Sequence, residues 1–335
     1  MPGKVLVLGG AGYVGSHCCR AFAEAGWEVT VFDNLSTGWR DLVRWGGLIQ
    51  GDLNNPADIE AAFNAVKPDA VAHFAASTLV GESVTEPGKY YRNNTFTTLN
   101  LLDAMRRHKT GMIIFSSTCA IFGHAQTEFL AEDHPKNPIN PYGMSKLMVE
   151  QMLADFDHAH GIRSVCLRYF NAAGADRQAL TGERHACETH LIPLALKGAY
   201  DPDYAFVIHG TDFDTPDGTA LRDYIHVEDL AEAHLLALNA LEGGAPSNVF
   251  NLGTGKGTSV AEIVDAVERA TGRRLPRKIG PRRPGDAVRL IAAPGKARDV
   301  LGWTATRSDV DTIITSALAW HQKDWATHKE DSLQS

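Results

Sequence analysis

Short apolar runs alternate with stretches of helical composition through the first half of the chain. The runs are Val5 to Leu8, Val29 to Phe32, Leu48 to Gln50, Ala70 to Phe74, Met112 to Ser116 and Ser164 to Arg168. Near-continuous apolar runs separated by helical stretches are the pattern of a parallel sheet covered on both faces, so six parallel strands are expected. Helices are predicted from His17 to Ala25, stopping at Gly26, and from Pro141 to about His160. Several strands end in small or polar residues: Gly51-Asp52-Leu53, Ala75-Ala76-Ser77-Thr78, Ser116-Ser117-Thr118 and Tyr169-Phe170-Asn171. Doubly wound sheets bind their ligands at such carboxyl ends.

Beyond Asn171 the alternation loosens and turn formers become frequent, among them Gly174, Gly182, Pro193, Pro202, Pro216, Gly218, Pro276, Pro281 and Pro284. Short strands are predicted at Phe206 to His209 and Val249 to Leu252, and a helix near Ser259 to Thr271. The expected fold is α/β: a Rossmann-like doubly wound parallel sheet over residues 1–170, with later segments returning to it, and a smaller mixed α/β substrate-facing region over 171–335.

The first loop carries the most specific signal. Gly9-Gly10-Ala11-Gly12-Tyr13-Val14-Gly15-Ser16 follows the first apolar run. Gly10, Gly12 and Gly15 fit a GxGxxG spacing, and Gly9, Gly12 and Gly15 fit GxxGxxG. In either register the backbone can turn tightly and approach a pyrophosphate, with the positive end of the next helix facing the anion. The second run ends in Asp33, eighteen residues after Gly15, where a dinucleotide-binding acid is expected to hold the adenosine ribose. Asp33 would repel a 2′-phosphate and Asn34-Leu35 offers no arginine to neutralise one, so NAD is favoured over NADP.

Composition narrows the class. The 335 residues are 44% hydrophobic and 21% charged, with net charge −8. That balance argues against a nucleic-acid surface, which needs clustered Lys and Arg. The sequence has no run of eighteen apolar residues and no charged-then-apolar leader, so a soluble, cytoplasmic protein with no membrane partner is expected. Five cysteines, at 18, 19, 119, 166 and 187, lack CxxC spacing and read as buried thiols. No metal site is expected: Asp212, Asp214 and Asp217 lack calcium-loop spacing, and the pairs His185/His190 and His158/His160 read as isolated histidines. Arg273-Arg274 and Arg277-Lys278 read as a solvated basic face.

Tyr142 and Lys146 lie four residues apart on the predicted Pro141 helix, hence on one face. A nearby ammonium and a cationic nicotinamide would favour the tyrosine phenolate and fit it for base catalysis. Thr118, just past the fifth strand, places a hydroxyl where it can bond both a substrate hydroxyl and the tyrosine oxygen.

In that order these motifs resemble the extended short-chain dehydrogenase/reductases and, within them, the UDP-galactose (UDP-glucose) 4-epimerases. The similarity runs nearly end to end, and the later motifs Arg168-Tyr-Phe-Asn171, Leu221-Arg-Asp-Tyr-Ile-His-Val227, Asn251-Leu-Gly-Thr-Gly255 and Pro281-Arg-Arg-Pro-Gly-Asp286 distinguish an epimerase from a generic reductase. The resemblance implies that Tyr142 takes the proton from the sugar 4-hydroxyl while NAD accepts the C4 hydride. The 4-keto sugar then turns and is reduced on its other face. Thr118 orients the proton, and Lys146 lowers the tyrosine pKa and holds the nicotinamide ribose.

It also implies cofactor contacts from Gly9, Gly12, Tyr13, Val14, Gly15, Asp33, Asn34, Asp52, Leu53, Phe74, Ala75, Ala76, Thr78, Asn94 and Tyr169. UDP-sugar would be held by Asn171, His190, Leu191, Arg222, Arg283, Asp286 and Leu290, alongside Thr118 and Tyr142. Without a ligand, the two arginines read as ion pairs with Asp223 or Asp286. His190 and Phe122 depart from residues frequent in the family; Leu290 occupies the position that gates sugar size, where its bulk should crowd an N-acetyl group. UDP-xylose and UDP-arabinose, or UDP-GlcNAc, are the alternative substrates. A 4,6-dehydratase would need an Asp-Glu pair where Cys119-Ala120 stands. A non-catalytic NAD-binding protein could dispense with the tyrosine and lysine. A homodimer through helices near Tyr90 to Arg107 and Tyr142 to His160 is implied by the resemblance alone.

Overall fold

The computed structural model describes residues 2–201, 203–283 and 286–334. Pro202, Pro284 and Gly285, part of the turn-rich and Pro281–Asp286 readings, lie outside the described residues. The six predicted strands form as β1 (Lys4–Leu8), β2 (Glu28–Asp33), β3 (Gly47–Gln50), β4 (Ala70–His73), β5 (Met112–Thr118) and β6 (Arg163–Tyr169). They pair in the order β3-β2-β1-β4-β5-β6, all parallel. A seventh parallel strand, Asn248–Leu252, extends the sheet beyond β6, so this later segment does return to the sheet.

Helices cover both faces, which is why the strands read as continuous apolar runs. On one face Val5, Val7, Val31 and Val165 pack against helix α1 (Tyr13–Glu24) through Cys18, Cys19 and Phe22 and against the Val227–Glu242 helix through Leu230 and Leu241. On the other, Leu6, Leu8, Phe32 and Ile113 meet Phe63 of the Pro56–Val66 helix, Leu101 of Thr97–His108 and Val149 of Pro141–His160. Helix α1 begins at Tyr13, four residues before the predicted start. The third glycine is therefore inside the first helical turn rather than in the loop.

The Pro141–His160 helix starts where the sequence places it. Pro141 occupies the first turn, where its missing N–H is no loss, and the Asn140 side chain accepts from Gly143 N at 2.8 Å. A capping box of Ser259 and Glu262 likewise starts the Val260–Thr271 helix. That helix, the Leu191–Tyr200 helix and the last helix build a second core around Leu196, Phe206, Val264 and Ile314. Four of the five cysteines are buried as expected, but Cys187 is exposed because it lies on the loop leading to Leu191.

A buried ion pair ties β5, β6 and the Pro141–His160 helix. Arg168, 1% exposed, meets Glu150 with Nε–Oε1 2.8 Å and Nη2–Oε2 2.6 Å, and Ser117 donates to Glu150 Oε1 at 2.5 Å. Removing one partner would strand a buried charge. Glu150→Ala is therefore expected to destabilise the fold by about 3–5 kcal/mol. Glu28→Ala, at the exposed Lys4 pair, should change stability by less than about 1 kcal/mol. Denaturant melts of the two variants check this.

Candidate active site

The strand order reverses between β1 and β4, and the loops that follow those strands face each other across the resulting crevice. Phe74 N and Ala75 N both donate to Leu8 O, at 2.8 and 3.0 Å, drawing the second loop onto the first. A Cβ on Gly9 would stand 2.6 Å from Ala75 N, and Gly9 also has φ +77°. A Cβ on Gly15 would stand 2.3 Å from Gly9 O, and one on Gly10 would strike Val31. Gly12 differs, since a Cβ there would meet only Gly9 O, at 3.3 Å. Gly12 heads α1 with no side-chain cap, leaving helix N–H groups open toward an anion. The cradle therefore fits a pyrophosphate, and all four glycines of the two sequence registers have work in it.

Asp33 is 8% exposed at the end of β2 and accepts from Ala11 N at 3.0 Å and Leu35 N at 2.8 Å. Burial raises its pKa and the two N–H bonds oppose that. Both partners are neutral backbone groups, so no cation is paired with this carboxylate in those bonds. Asn34 bonds Asp52, and Leu53 is buried in the core beside it. Phe74 packs on His234 at 4.9 Å, Ala75 and Ala76 are half-buried, and Thr78 is exposed at the rim. Asn94 serves the loop itself: Ser77 N donates to its Oδ1 at 2.8 Å, and its Nδ2 donates to Ser77 O and Ser145 Oγ at 3.0 Å. Tyr13 donates to Gly174 O at 2.5 Å and ties α1 to the later half of the chain, while Val14 packs within the core of the first face.

Thr118, Tyr142 and Lys146 meet at the end of β5. Burial pushes Tyr142 up to about 12; the Thr118 hydroxyl facing it acts in the opposite direction, and Cys119 adds a smaller upward push. Lys146, 2% exposed, donates to Ser116 O at 2.8 Å and lies 4.8 Å over the Phe115 ring. Burial pulls it down to about 7, with Glu150 opposing. The lowering of Tyr142 expected from Lys146 is not met: the ammonium is turned to Ser116 O, and the one group that lowers the phenol, Thr118, is outweighed by desolvation.

Residues to which the sequence reading gave no role at this pair hold it. Ser116 receives Lys146 on its carbonyl and bonds Tyr169 through its hydroxyl at 2.5 Å. The Tyr90 ring stands edge-on to Tyr142 at 6.4 Å and is fixed by bonds to Leu79 O and Glu82. Ser116 was legible only as part of a polar strand end, and the Tyr90–Tyr142 contact spans a separation that no local spacing encodes.

The substrate-side residues divide. The Asn171–Ala173 strand pairs with Tyr224–His226, and this brings Arg222 close enough to act on Cys119. Leu290 pairs with Arg222 and packs with Cys119, Phe122 and Phe170. Arg222 and Arg283 stand 3.6 and 3.5 Å from Asp286, so the ion-pair partner is Asp286. Asp223 is instead buried and accepts from Thr254 N, Gly255 N and Ala292 N. His190 heads the Leu191–Tyr200 helix and contacts Glu183, while Leu191 is half-buried against the second core.

Lys146 supplies a pH test. Its folded pKa lies below the unfolded value of about 10.5, so folding it as an ammonium is unfavourable, fully so below about pH 7 and progressively less as pH rises toward the unfolded value. Calorimetry of nucleotide-free Lys146→Met should show a higher melting temperature than wild type at pH 6 and a smaller gain at pH 9.

Comparison with known proteins places this geometry. The profile of the NAD dependent epimerase/dehydratase family matches residues 5–253. The chain is 49% identical over 319 residues to a UDP-glucose 4-epimerase of Rhizobium leguminosarum bv. trifolii, covering 95% of this chain and 97% of the relative. Among solved structures it is similar to UDP-glucose 4-epimerase from Brucella ovis in complex with NAD, with TM-score 0.92, 48% identity and coverage of 95% and 98% of the two chains. It is also similar to UDP-glucose 4-epimerase from Bifidobacterium longum in complex with NAD+ and UDP, with TM-score 0.90, 37% identity and coverage of 96% and 98%.

Proposed function

The chain belongs to the NAD dependent epimerase/dehydratase family, and we propose that it interconverts UDP-galactose and UDP-glucose. The observation that carries this reading is the convergence of Thr118, Tyr142 and Lys146 beside the glycine crevice. NAD held in that crevice supplies a hydride acceptor and donor for sugar C4, and a cationic ring whose field favours the Tyr142 phenolate. Gly9, Gly12, Tyr13, Val14 and Gly15 would line its pyrophosphate, Asp33 and Asn34 its adenosine ribose, and Asp52 and Leu53 its adenine. Phe74, Ala75, Ala76, Thr78 and Tyr169 line the rest, with Asn94 holding their loop.

Tyr142 takes the proton of the 4-hydroxyl as the C4 hydride leaves, giving a 4-keto sugar. Thr118 bonds both oxygens and directs that proton. After the sugar turns, Tyr142 returns the proton and the opposite face receives the hydride, so no net redox change results. Lys146 offers its ammonium to the nicotinamide ribose and to the phenolate. Cys119 occupies the place where elimination would need an acid, and burial raises its thiol to about 12, too weak an acid to protonate a leaving hydroxyl at neutral pH. Arg222 and Arg283 would bind the diphosphate with Asn171, His190 and Leu191, and Asp286 the uridine ribose. Leu290 narrows the sugar pocket against an acetamido group. On this reading the sheet region holds the dinucleotide and the region from residue 171 holds UDP-sugar.

No described helix is long and apolar enough to cross a membrane. A cytoplasmic location accords with thiols that carry no disulfide among the described residues. A homodimer accords with exposed apolar side chains beside and on the Thr97–His108 and Pro141–His160 helices: Phe96 is 53% exposed and Met148 41%. Light scattering should give a dimer, and Phe96→Glu should shift it to monomer; a monomeric wild type would overturn this assembly.

Purified protein given UDP-galactose without added cofactor should yield UDP-glucose by chromatography. Tyr142→Phe should be slower by about 10²–10⁴-fold, and UDP-GlcNAc should turn over more slowly than UDP-galactose. Absence of conversion even with added NAD would reject the reaction, and full turnover by Tyr142→Phe would reject the base.

A further inference from the structure

The loop before the Leu191–Tyr200 helix gathers Glu183, His185 and Glu188, to which the reaction gives no role, around His190, which is also proposed to lie beside UDP-sugar. His185 Nδ1 lies 3.0 Å from Glu188 Oε2 and 3.6 Å from Glu183 Oε1. His190 Nδ1 contacts Glu183 Oε1 and lies 3.8 Å from Glu188 Oε1. One donor atom from each of the four residues falls within 4.8 Å of every other. A tetrahedral zinc ion with bonds of about 2.1 Å has ligand–ligand edges of about 3.4 Å, in the middle of these separations.

We infer that Glu183, His185, Glu188 and His190 form a zinc-binding site. Imidazole and carboxylate ligands suit this metal, and two carboxylates balance the charge of a divalent ion. The ligands are already oriented. Glu188 Oε1 accepts the N–H groups of Thr189 and His190 at 2.7 and 2.8 Å. Glu183 is 4% exposed, and its carbonyl accepts from the Trp320 indole at 3.0 Å. An independent observation comes from the neighbouring helix. His321 is 6% exposed, its Nδ1 has no hydrogen-bond partner, and it lies in the field of Glu183 and Glu188. A nine-tenths-buried imidazole with an unpartnered nitrogen thus stands beside the four residues.

The site would clamp the loop at the head of the Leu191–Tyr200 helix next to Tyr13, whose hydroxyl also lies in the field of Glu183 and Glu188. It would thus link the glycine turn to the later half of the chain. The inference does not depend on which sugar the enzyme turns over.

The test uses the full chain without a histidine tag, stripped with a chelator and titrated with zinc chloride in a calorimeter. One zinc per chain with a dissociation constant of about 1 µM or tighter is expected. His185→Gln and Glu188→Gln should each weaken binding by about tenfold or more, while Cys187→Ser, on the same loop, should leave it unchanged. Cobalt(II) bound to the wild-type chain should show tetrahedral visible absorption without a thiolate charge-transfer band, a readout that needs no variant to fold. No saturable uptake, a thiolate band, or loss of binding in Cys187→Ser alone would overturn the site and leave the four residues as an ion-pair lattice.

Discussion

The rest of the molecule depends on how closely β1 and β4 end against each other. Leu8 O accepts two N–H groups from the loop after β4, and Gly9 then has no room for a side chain because Ala75 N would be 2.6 Å away. The same turn passes under α1, where a Cβ on Gly15 would strike Gly9 O. These contacts set the height at which α1 begins and the direction of its open N–H groups. They also place Phe74 and Ala75 on the opposite wall, so one local packing requirement shapes both sides of the crevice. Asp33 reinforces it by accepting from Ala11, inside the turn. A residue read as a ribose ligand is therefore also a strut of the loop that would hold the pyrophosphate.

Burial governs the reactive pair in a second way. Tyr142 and Lys146 are pushed in opposite directions by the same desolvation, the phenol up to about 12 and the ammonium down to about 7. Each shift disfavours the charged form that base catalysis uses. The hydrogen-bond partners that hold the two groups are neutral, Ser116 O for the lysine and Thr118 for the tyrosine, and the field of Glu150 offsets only part of the lysine's desolvation.

The glycine turn, Asp33, Thr118 and the Tyr142–Lys146 spacing were legible because each is local: a strand, a turn or one helical turn carries the whole signal. The six strands were legible for the same reason, since burial on both faces writes itself as an unbroken apolar run. The start of α1 was misplaced because Gly15 suggests a loop, and only the contact with Gly9 O shows why glycine is needed inside a helix. Glu150, Tyr90 and the buried role of Asp223 could not be read, because their partners lie far away in sequence. The assembly of His185 and His190 with two glutamates escaped for a related reason: the loop folds back on itself, and linear spacing does not describe it.

Geometry separates the arginines that hold the fold from those available to a ligand. Arg168 is 1% exposed and meets Glu150 through two bonds of 2.6–2.8 Å, the range of charge-assisted pairs, with another nitrogen donating to Glu132 O. Displacing that carboxylate would leave a buried cation, so Arg168 is committed to structure. Arg222 and Arg283 share Asp286 at 3.6 and 3.5 Å, beyond hydrogen-bond contact, and Arg283 is exposed. Arg222 is positioned through Nη1 by Leu221 O and Ala287 O, at 2.8 and 2.9 Å, but these are neutral, so two guanidinium groups loosely paired with one carboxylate leave positive charge uncompensated in a chain whose net charge is −8. A diphosphate could take the forked bonds that Asp286 does not make, and the carboxylate would then be free to accept from a sugar hydroxyl. The looseness of these pairs, rather than the presence of arginine, is what distinguishes them from the Arg168 pair.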